Sequence, residues 1–151
     1  MVKLLFVCTG NICRSPSAEA VFRQLVTNDN LSDDIISDSV GLHGFHVGEP
    51  ADARAIATAE KRGYPMRGLR SRRIHPQDFE TFDFFWPWTP VISNPCISFA
   101  RAHKEKRSKC FCQSRPIATP QTYPIRFTER WKDLSVHLIL SRLVRRHGLS
   151  G

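Results

Sequence analysis

The sequence predicts an α/β protein with three layers, in which helices cover both faces of a short parallel sheet. Two observations support this fold class. Short apolar runs typical of buried strands alternate with segments whose apolar residues recur at helical spacing. The first strand is also joined to the first helix by a tight, glycine-containing loop, as in α/β proteins that bind anions. We therefore expect one domain, residues 1–151, with this loop between strand 1 and helix 1.

The first strand, loop and helix are the clearest elements. Residues 4–8 form a short apolar run that follows Lys3 and stops at the turn-forming residues Thr-Gly-Asn, which predicts a buried strand over residues 3–8. Ser15 is a good N-cap and Pro16 suits the first helical position. The apolar residues that follow recur at helical spacing: Ala18, Val21, Phe22, Leu25 and Val26. The pattern predicts a strand, a tight loop and a helix.

The next elements continue the alternation. Residues 35–42 predict a second strand, and Asp52 is placed to cap a second helix that ends at Gly63. After a basic loop, residues 76–82 predict a short helix and Asp83 begins a third strand. Beyond residue 85 only residues 134–144 have a helical pattern.

Composition divides the chain near residue 85. Residues 1–85 carry 10 Lys and Arg against 11 Asp and Glu, whereas residues 86–151 carry 12 against 3 and hold all three Trp. No stretch approaches the roughly 20 apolar residues of a membrane span, and Met1 leads directly into the first strand. The five cysteines have no paired metal-ligand spacing. We expect a cytoplasmic protein without membrane segments, metal or cofactor, and with reduced thiols.

The loop V-C-T-G-N-I-C-R-S-P, residues 7–16, contains the candidate functional residues. Its backbone N–H groups and the helix dipole favour an anion, and the same field favours the thiolate of Cys8 at the strand end. Arg14 has a planar fork that binds two oxygens of a tetrahedral anion at once. The hydroxyl of Ser15 can donate to the sulfur, and Asn11 tolerates a left-handed backbone within the loop.

These motifs resemble the low-molecular-weight protein tyrosine phosphatases. The resemblance rests on V-C-T-G-N-I-C-R-S-P-S-A-E-A-V-F, then S-D-S, G-x-x-V-G-x-P-A-D-x-R and R-I-x-x-x-D-F-x-x-F-D. It covers residues 1–85. It implies hydrolysis of phosphotyrosine in proteins, or of small aryl phosphates, through a phosphocysteine on Cys8, with Arg14 holding the phosphate and inorganic phosphate as product. No metal takes part, because fixed dipoles stabilise the charge.

The resemblance also implies roles for residues around the nucleophile. The implied substrate-binding residues are Thr9, Gly10, Asn11, Ile12, Cys13, Ser15 and Phe45. Ser39 matches a serine that hydrogen-bonds the Asn11 side chain, Arg72 matches an arginine near the loop, and Leu69 stands where many members have histidine. Cys13 matches a neighbour that forms a reversible disulfide with the nucleophile. Packing or filler roles remain the alternative for Ser39, Phe45 and Cys13.

The family's general acid is missing from the sequence. That acid is an aspartate in a D-P-[YF]-Y segment, which does not occur here, and Asp133, the only aspartate after Asp83, lacks the flanking pattern. The segment F-W-P-W-T must be encoded TTY-TGG-CCN-TGG-ACN, where Y is a pyrimidine and N is any base. Regrouped one base earlier, from the third base of the Phe codon, the same DNA reads YTG-GCC-NTG-GAC, which encodes Leu-Ala-[Met/Leu/Val]-Asp. Family members carry Leu-Ala-Met-Asp there, and T-Y-P-I-R-F-T permits the acid segment after the same regrouping. Residues 86–151 therefore look like an out-of-frame continuation, and we expect much of this region to be disordered or poorly packed.

Other interpretations remain. Residues 86–151 are, on a second explanation, a genuine basic, proline-rich tail. The loop also suits an arsenate reductase relaying electrons through Cys96, Cys110 and Cys112. A third class is a non-catalytic protein that binds phosphate, or nucleic acid through its basic tail, although we consider nucleic acid the weaker partner.

The frame hypothesis predicts the DNA sequence. We expect sequencing of the gene across codons 80–90 to show a single missing base relative to the family reading frame. A gene that reads through this region in the printed frame in independent isolates, without any lost base, contradicts the hypothesis and establishes the basic tail.

Overall fold

The computed structural model describes residues 1–87, 109–110 and 134–148. Within them lie four strands: β1 (Val2–Cys8), β2 (Ile35–Gly41), β3 (Phe84–Pro87) and β4 (Lys109–Cys110). All neighbouring pairs are parallel and the strand order is β2-β1-β3-β4. The parallel sheet expected from the alternating pattern is confirmed.

Helices cover both faces of this sheet. The described helices are α1 (Arg14–Asn28), α2 (Ala53–Glu60), α3 (Asp78–Thr81) and, after residue 133, a helix named α4 here (Leu134–His147). Side chains along β1 alternate between the faces, as a strand buried on both sides requires. Leu4 and Phe6 pack with α1 and α4, whereas Leu5 and Val7 pack with Phe79 of α3. The three-layer arrangement is confirmed.

The start of α1 differs from its prediction. Ser15 was expected to be the N-cap, but α1 begins at Arg14, Cys13 precedes it without a capping side chain, and Ser15 is fully buried inside the first turn. The Ser15 hydroxyl contacts Cys8 and the Val40 carbonyl instead. Tertiary contacts in the loop therefore override the local capping preference.

Three other boundaries are close to their predictions. Asp52 caps α2 as expected, since its carboxylate accepts a hydrogen bond from Arg54 N at 2.8 Å. The helix ends at Glu60, three residues before Gly63, whose φ of +80° allows the chain to turn. The helix predicted over residues 76–82 is shorter in the structure, where α3 covers Asp78–Thr81. The third strand, predicted to begin at Asp83, begins one residue later at Phe84.

Part of the second section of the chain packs into the core, within the described residues 86–87, 109–110 and 134–148. The expectation that much of residues 86–151 is poorly ordered stays a prediction. Trp86 and Pro87 complete β3, and the predicted helix 134–144 is present as α4. Ile139, Leu140 and Leu143 are buried against α1. An amphipathic helix with this apolar stripe can cover the sheet whatever its origin. Asp133 and the regrouped T-Y-P-I-R-F-T segment lie outside the described residues.

The topology places the functional loop at one edge of the sheet. Cys8 pairs with Gly41, so the carboxyl ends of β1 and β2 lie side by side where the loop begins. The carboxyl edge is the usual binding edge of parallel α/β sheets. In the described ranges, no helix combines the length and the apolar composition needed to cross a membrane.

Packing of α4 predicts a measurable stability effect. Leu143 is 1% exposed in the core shared with α1, so we expect Leu143→Ala to lower the free energy of unfolding by about 2–5 kcal/mol in urea denaturation. Arg145→Ala, on the exposed side of the same helix, serves as control and should change it by less than about 0.5 kcal/mol. Equal values for both variants would show that α4 does not dock on α1.

Candidate active site

Cys8 is the last residue of β1 and is 2% exposed. Its sulfur accepts a hydrogen bond from the Asn11 backbone N–H at 3.2 Å and lies 3.0 Å from the Ser15 hydroxyl oxygen. Both contacts come from groups that can donate a hydrogen to sulfur. Cys8 therefore lies at the inner end of the loop, with its sulfur facing two polar hydrogen-bonding groups.

The loop carbonyls are held away from the loop interior. They accept hydrogen bonds of 2.7–3.2 Å in five places: Cys8 O from Leu42 N, Thr9 O from His43 N, Gly10 O from Ser71 Oγ, Ile12 O from Asp52 N, and Cys13 O from Ser17 N. In a planar trans peptide the carbonyl and the next N–H point in opposite directions. The corresponding N–H groups therefore face the interior: those of Thr9, Gly10, Asn11, Cys13 and Arg14. The loop is a cup of donors suited to an anion.

Gly41 lets β2 approach this loop closely. A Cβ on Gly41 would lie 3.0 Å from both Thr9 O and the Gly10 carbonyl carbon, so the loop backbone would have to move by a few tenths of an ångström to accommodate a side chain. Sequence reasoning did not select Gly41 or Ser71 as site residues. Gly41 has no local sign beyond a glycine at a strand end, and Ser71 lies in a basic loop about 60 residues from its partner.

Asn11 holds the loop together from inside. Its φ is +55°, in the left-handed region that asparagine tolerates better than most residues. Its side-chain Nδ2 donates to Ser15 Oγ at 2.8 Å and to Ser39 Oγ at 2.9 Å. Its Oδ1 accepts from the Arg72 backbone N at 2.8 Å. The Asn11–Ser39 hydrogen bond implied by the family resemblance is present.

Arg14 closes the loop from its last position. It is the first residue of α1, half-buried, and its Nη2 donates to the Thr9 hydroxyl at 3.1 Å. Thr9 is the residue directly after Cys8, so this hydrogen bond joins the two ends of the loop and holds the Arg14 guanidinium close to Cys8 in the chain.

Arg72 supports the loop through its backbone, while its side chain points to two carboxylates. The guanidinium contacts Asp38 Oδ2 at 2.7 Å and both oxygens of Asp78 at 3.0 Å. Burial alone would lower the pKa of Arg72, but the hydrogen bonds that it donates to Asp78 and Asp38 outweigh this effect and raise that pKa. With both carboxylates bound, this cation is a poor ligand for substrate and fixes the segment that carries Ser71.

Cys13 lies in the same loop and is half-buried; both Cys13 and Cys8 are free thiols. Burial, then the negative charge of Asp52, raises the pKa of Cys13. Hydrogen bonds from Arg54 hold the pKa of Asp52 down at about 2, so Asp52 is ionised at neutral pH. The raised pKa favours the protonated thiol of Cys13, which suits a packing role better than nucleophilic attack.

Phe45 lies in the loop after β2, next to the cup. Its side chain is 83% exposed and stacks on His43, with ring centroids 5.6 Å apart. His43 N binds Thr9 O, which ties this loop to the cup. An exposed aromatic ring beside an anion site is a surface that an aryl group can contact. Ile12 is half-buried in the loop itself.

Two residues proposed for a cysteine relay, Cys96 and Cys112, lie outside the described residues. Cys110 ends β4 and pairs with Phe85, which in turn pairs with Leu5. Cys110 therefore lies two strands from β1, about 10 Å across the sheet. Along the strand direction it is level with Leu5, three residues before Cys8.

The fold and the cup define a class: an α/β protein with a buried cysteine at the start of a donor-rich loop between its first strand and first helix. A family model described as low molecular weight phosphotyrosine protein phosphatase matches residues 3–111. The chain belongs to this family. The human low molecular weight phosphotyrosine protein phosphatase is 48% identical over 81 residues, which are 54% of this chain and 51% of that protein. The chain thus spans about half the length of the curated relatives it matches.

Solved structures agree with the family assignment. The protein tyrosine phosphatase from Entamoeba histolytica superimposes with a TM-score of 0.63 at 37% identity, covering 66% of this chain and 63% of that one. The Drosophila arginine phosphatase DARP superimposes with a TM-score of 0.67 at 33% identity, covering 72% of this chain and 68% of that one.

Proposed function

We propose that this protein hydrolyses phosphotyrosine and related aryl phosphate monoesters through a phosphocysteine on Cys8. The observation that carries the proposal is the cup of inward N–H groups around the Cys8 sulfur, closed by Arg14. An anion with three equatorial oxygens fits such a cup, because several donors and one forked cation converge on it.

The reaction has two displacements. The Cys8 thiolate attacks phosphorus, an S–P bond forms, and the P–O bond to the aryl group breaks, releasing a phenolate that takes a proton from an acid or water. Water then attacks phosphorus, the S–P bond breaks, and inorganic phosphate leaves. Ser15, 3.0 Å from the sulfur, stabilises the thiolate as nucleophile in the first step and as leaving group in the second.

The substrate class follows from the surroundings of the cup. Phe45 offers an exposed ring beside it, which favours an aromatic leaving group such as the phenol of phosphotyrosine. Phosphoarginine is the alternative suggested by the name of the Drosophila relative. We place the protein in the reducing cytoplasm, since an oxidised Cys8 cannot attack phosphorus.

An arsenate reductase relay through Cys110 has weaker support. That residue lies two strands from β1, whereas a relay requires a thiol able to reach Cys8. Cys13 is the better placed resolving thiol because it shares the loop with Cys8, although its raised pKa disfavours the thiolate that would attack an oxidised Cys8. A reversible Cys8–Cys13 disulfide would protect the nucleophile from further oxidation.

The mechanism predicts the effect on turnover of removing the Cys8 thiol or the Arg14 guanidinium. We expect Cys8→Ser to abolish the phosphoenzyme trapped by rapid quenching from labelled p-nitrophenyl phosphate, and to lower turnover by at least about 10³-fold. Arg14→Ala should lower turnover about 10²–10³-fold, because the transition-state oxygens lose their cation. Arg62→Ala, an exposed arginine after α2, should leave turnover unchanged. Retained turnover in Cys8→Ser would remove the mechanism.

The missing acid predicts a dependence on the leaving group. Nitrophenolate leaves without protonation more readily than the tyrosine phenolate, so the absence of a general acid should cost phosphotyrosine more. Compared with the human relative under the same conditions, we expect a larger loss of kcat with phosphotyrosine peptide than with p-nitrophenyl phosphate. Equal losses on both substrates would place the defect in the cup instead.

A further inference from the structure

Arg73 is an exposed cation beside the cup. Its segment runs parallel to the end of β2, where Gly41 and Arg73 form a bridge. Two backbone hydrogen bonds of 2.9 Å hold the bridge, from Gly41 N to Arg72 O and from Ile74 N to Gly41 O. Gly41 also pairs with Cys8 at the end of β1. Since neighbouring strands lie about 4.8 Å apart, Arg73 lies about 10 Å from Cys8 on the same edge of the sheet.

The side chain of Arg73 lies against the loop that follows β2. Its Cδ is 3.4 Å from the position of a Cβ built on Gly44, and Val47 Cγ2 is 3.7 Å from the same point. Gly44 directly precedes Phe45, whose ring is exposed beside the cup. The aliphatic part of Arg73 is therefore supported by the loop that presents Phe45. A supported stem has fewer rotamers to lose when the guanidinium binds a partner.

The charge of Arg73 is not matched by a carboxylate within residues 1–87, 109–110 and 134–148. The acidic side chains on the neighbouring segments have other partners. Glu49 lies 2.7 Å from a ring nitrogen of His46, and two carboxylates are bound by the guanidinium of Arg72. An exposed guanidinium presents a planar fork that binds a carboxylate through two hydrogen bonds. Arg73 is therefore suited to a carboxylate that comes from outside the protein.

We propose that Arg73 selects substrates in which Asp or Glu lies within about three residues of the phosphotyrosine. An extended peptide advances about 3.3–3.6 Å per residue, so three residues span the distance of about 10 Å between Cys8 and Arg73. The inference rests on the proposed function, because phosphate bound in the cup fixes the position of the peptide. A basic residue at the same place in the peptide is repelled by Arg73, which adds to the discrimination.

Peptides that carry phosphonomethyl-phenylalanine in place of phosphotyrosine test this selection without hydrolysis. Three such peptides differ only at the three positions on each side of that residue, which are all Glu, all Gln or all Lys. We measure Kd by fluorescence anisotropy at an ionic strength of about 0.15 M, at which charges more than about 8 Å apart are largely screened. The wild-type protein should bind the Glu peptide about three- to five-fold more tightly than the Gln peptide, and the Lys peptide most weakly.

Two substitutions of equal charge separate local recognition from the overall positive charge. Arg73→Gln should bring the Kd values of the Glu and Gln peptides to within about 1.5-fold of each other. Arg67→Gln removes the same charge from the same basic loop, but the Arg67 guanidinium is already paired with Glu60 at 2.9 Å. Arg67→Gln should therefore keep the wild-type preference. Arg73→Glu should reverse the order, so that the Lys peptide binds more tightly than the Glu peptide.

Three results overturn the role of Arg73. They are equal binding of the Glu and Gln peptides by the wild-type protein, a preference that persists in Arg73→Gln, and a preference lost equally in Arg67→Gln. A Glu peptide with plain tyrosine that binds as tightly as the phosphonate peptide also overturns it, because the contact would then not depend on the cup. A wild-type protein that binds none of the phosphonate peptides removes the proposed function as well, whereas binding without preference removes the role of Arg73 alone.

Discussion

The site depends on one constraint: five carbonyls of the loop are hydrogen-bonded away from its interior. A planar peptide cannot turn its carbonyl outward without turning the following N–H inward, so the donors are in position before any anion arrives. Stabilisation of this kind needs no reorganisation during the reaction. The close approach at Gly41, the hydroxyl of Ser71 and the start of α2 at Asp52 all serve the same constraint, because each supplies or permits one of these outward bonds.

The two arginines beside the loop have opposite electrostatic situations. Arg72 is bound by two carboxylates, so its charge is used within the protein and its backbone becomes a fixed support for Asn11. Arg14 donates to the neutral hydroxyl of Thr9, which a phosphate oxygen can replace at little cost because a charged acceptor binds guanidinium more strongly. The placement of acidic residues thus decides which cation is free to act on substrate. The same logic favours the protonated thiol of Cys13, which lies beside ionised Asp52.

The sequence predicts the elements whose signals are local and misses those that depend on distant partners. The apolar run of β1, the turn at Asn11 and the periodic residues of α1 are contiguous, so β1 and the start of the cup follow from pattern and resemblance. Ser15 was expected to cap α1 because that preference is local, but its hydroxyl serves Cys8 and Asn11. The roles of Gly41 and Ser71 depend on contacts with loop residues 30 or more positions away in the sequence. No local sequence pattern predicts these contacts.

The second section of the chain separates what folding requires from what catalysis requires. Burying the open side of α1 needs only a helix with apolar residues at the right period, and Ile139, Leu140 and Leu143 meet that need despite the changed composition after residue 85. A general acid, by contrast, must be an ionisable side chain placed within hydrogen-bond reach of the leaving oxygen, which is a much narrower requirement. Packing tolerates many sequences whereas proton transfer tolerates few. A segment of different composition can therefore complete the helical layer beside α1, whereas it supplies a proton donor only if one particular side chain stands at one particular place.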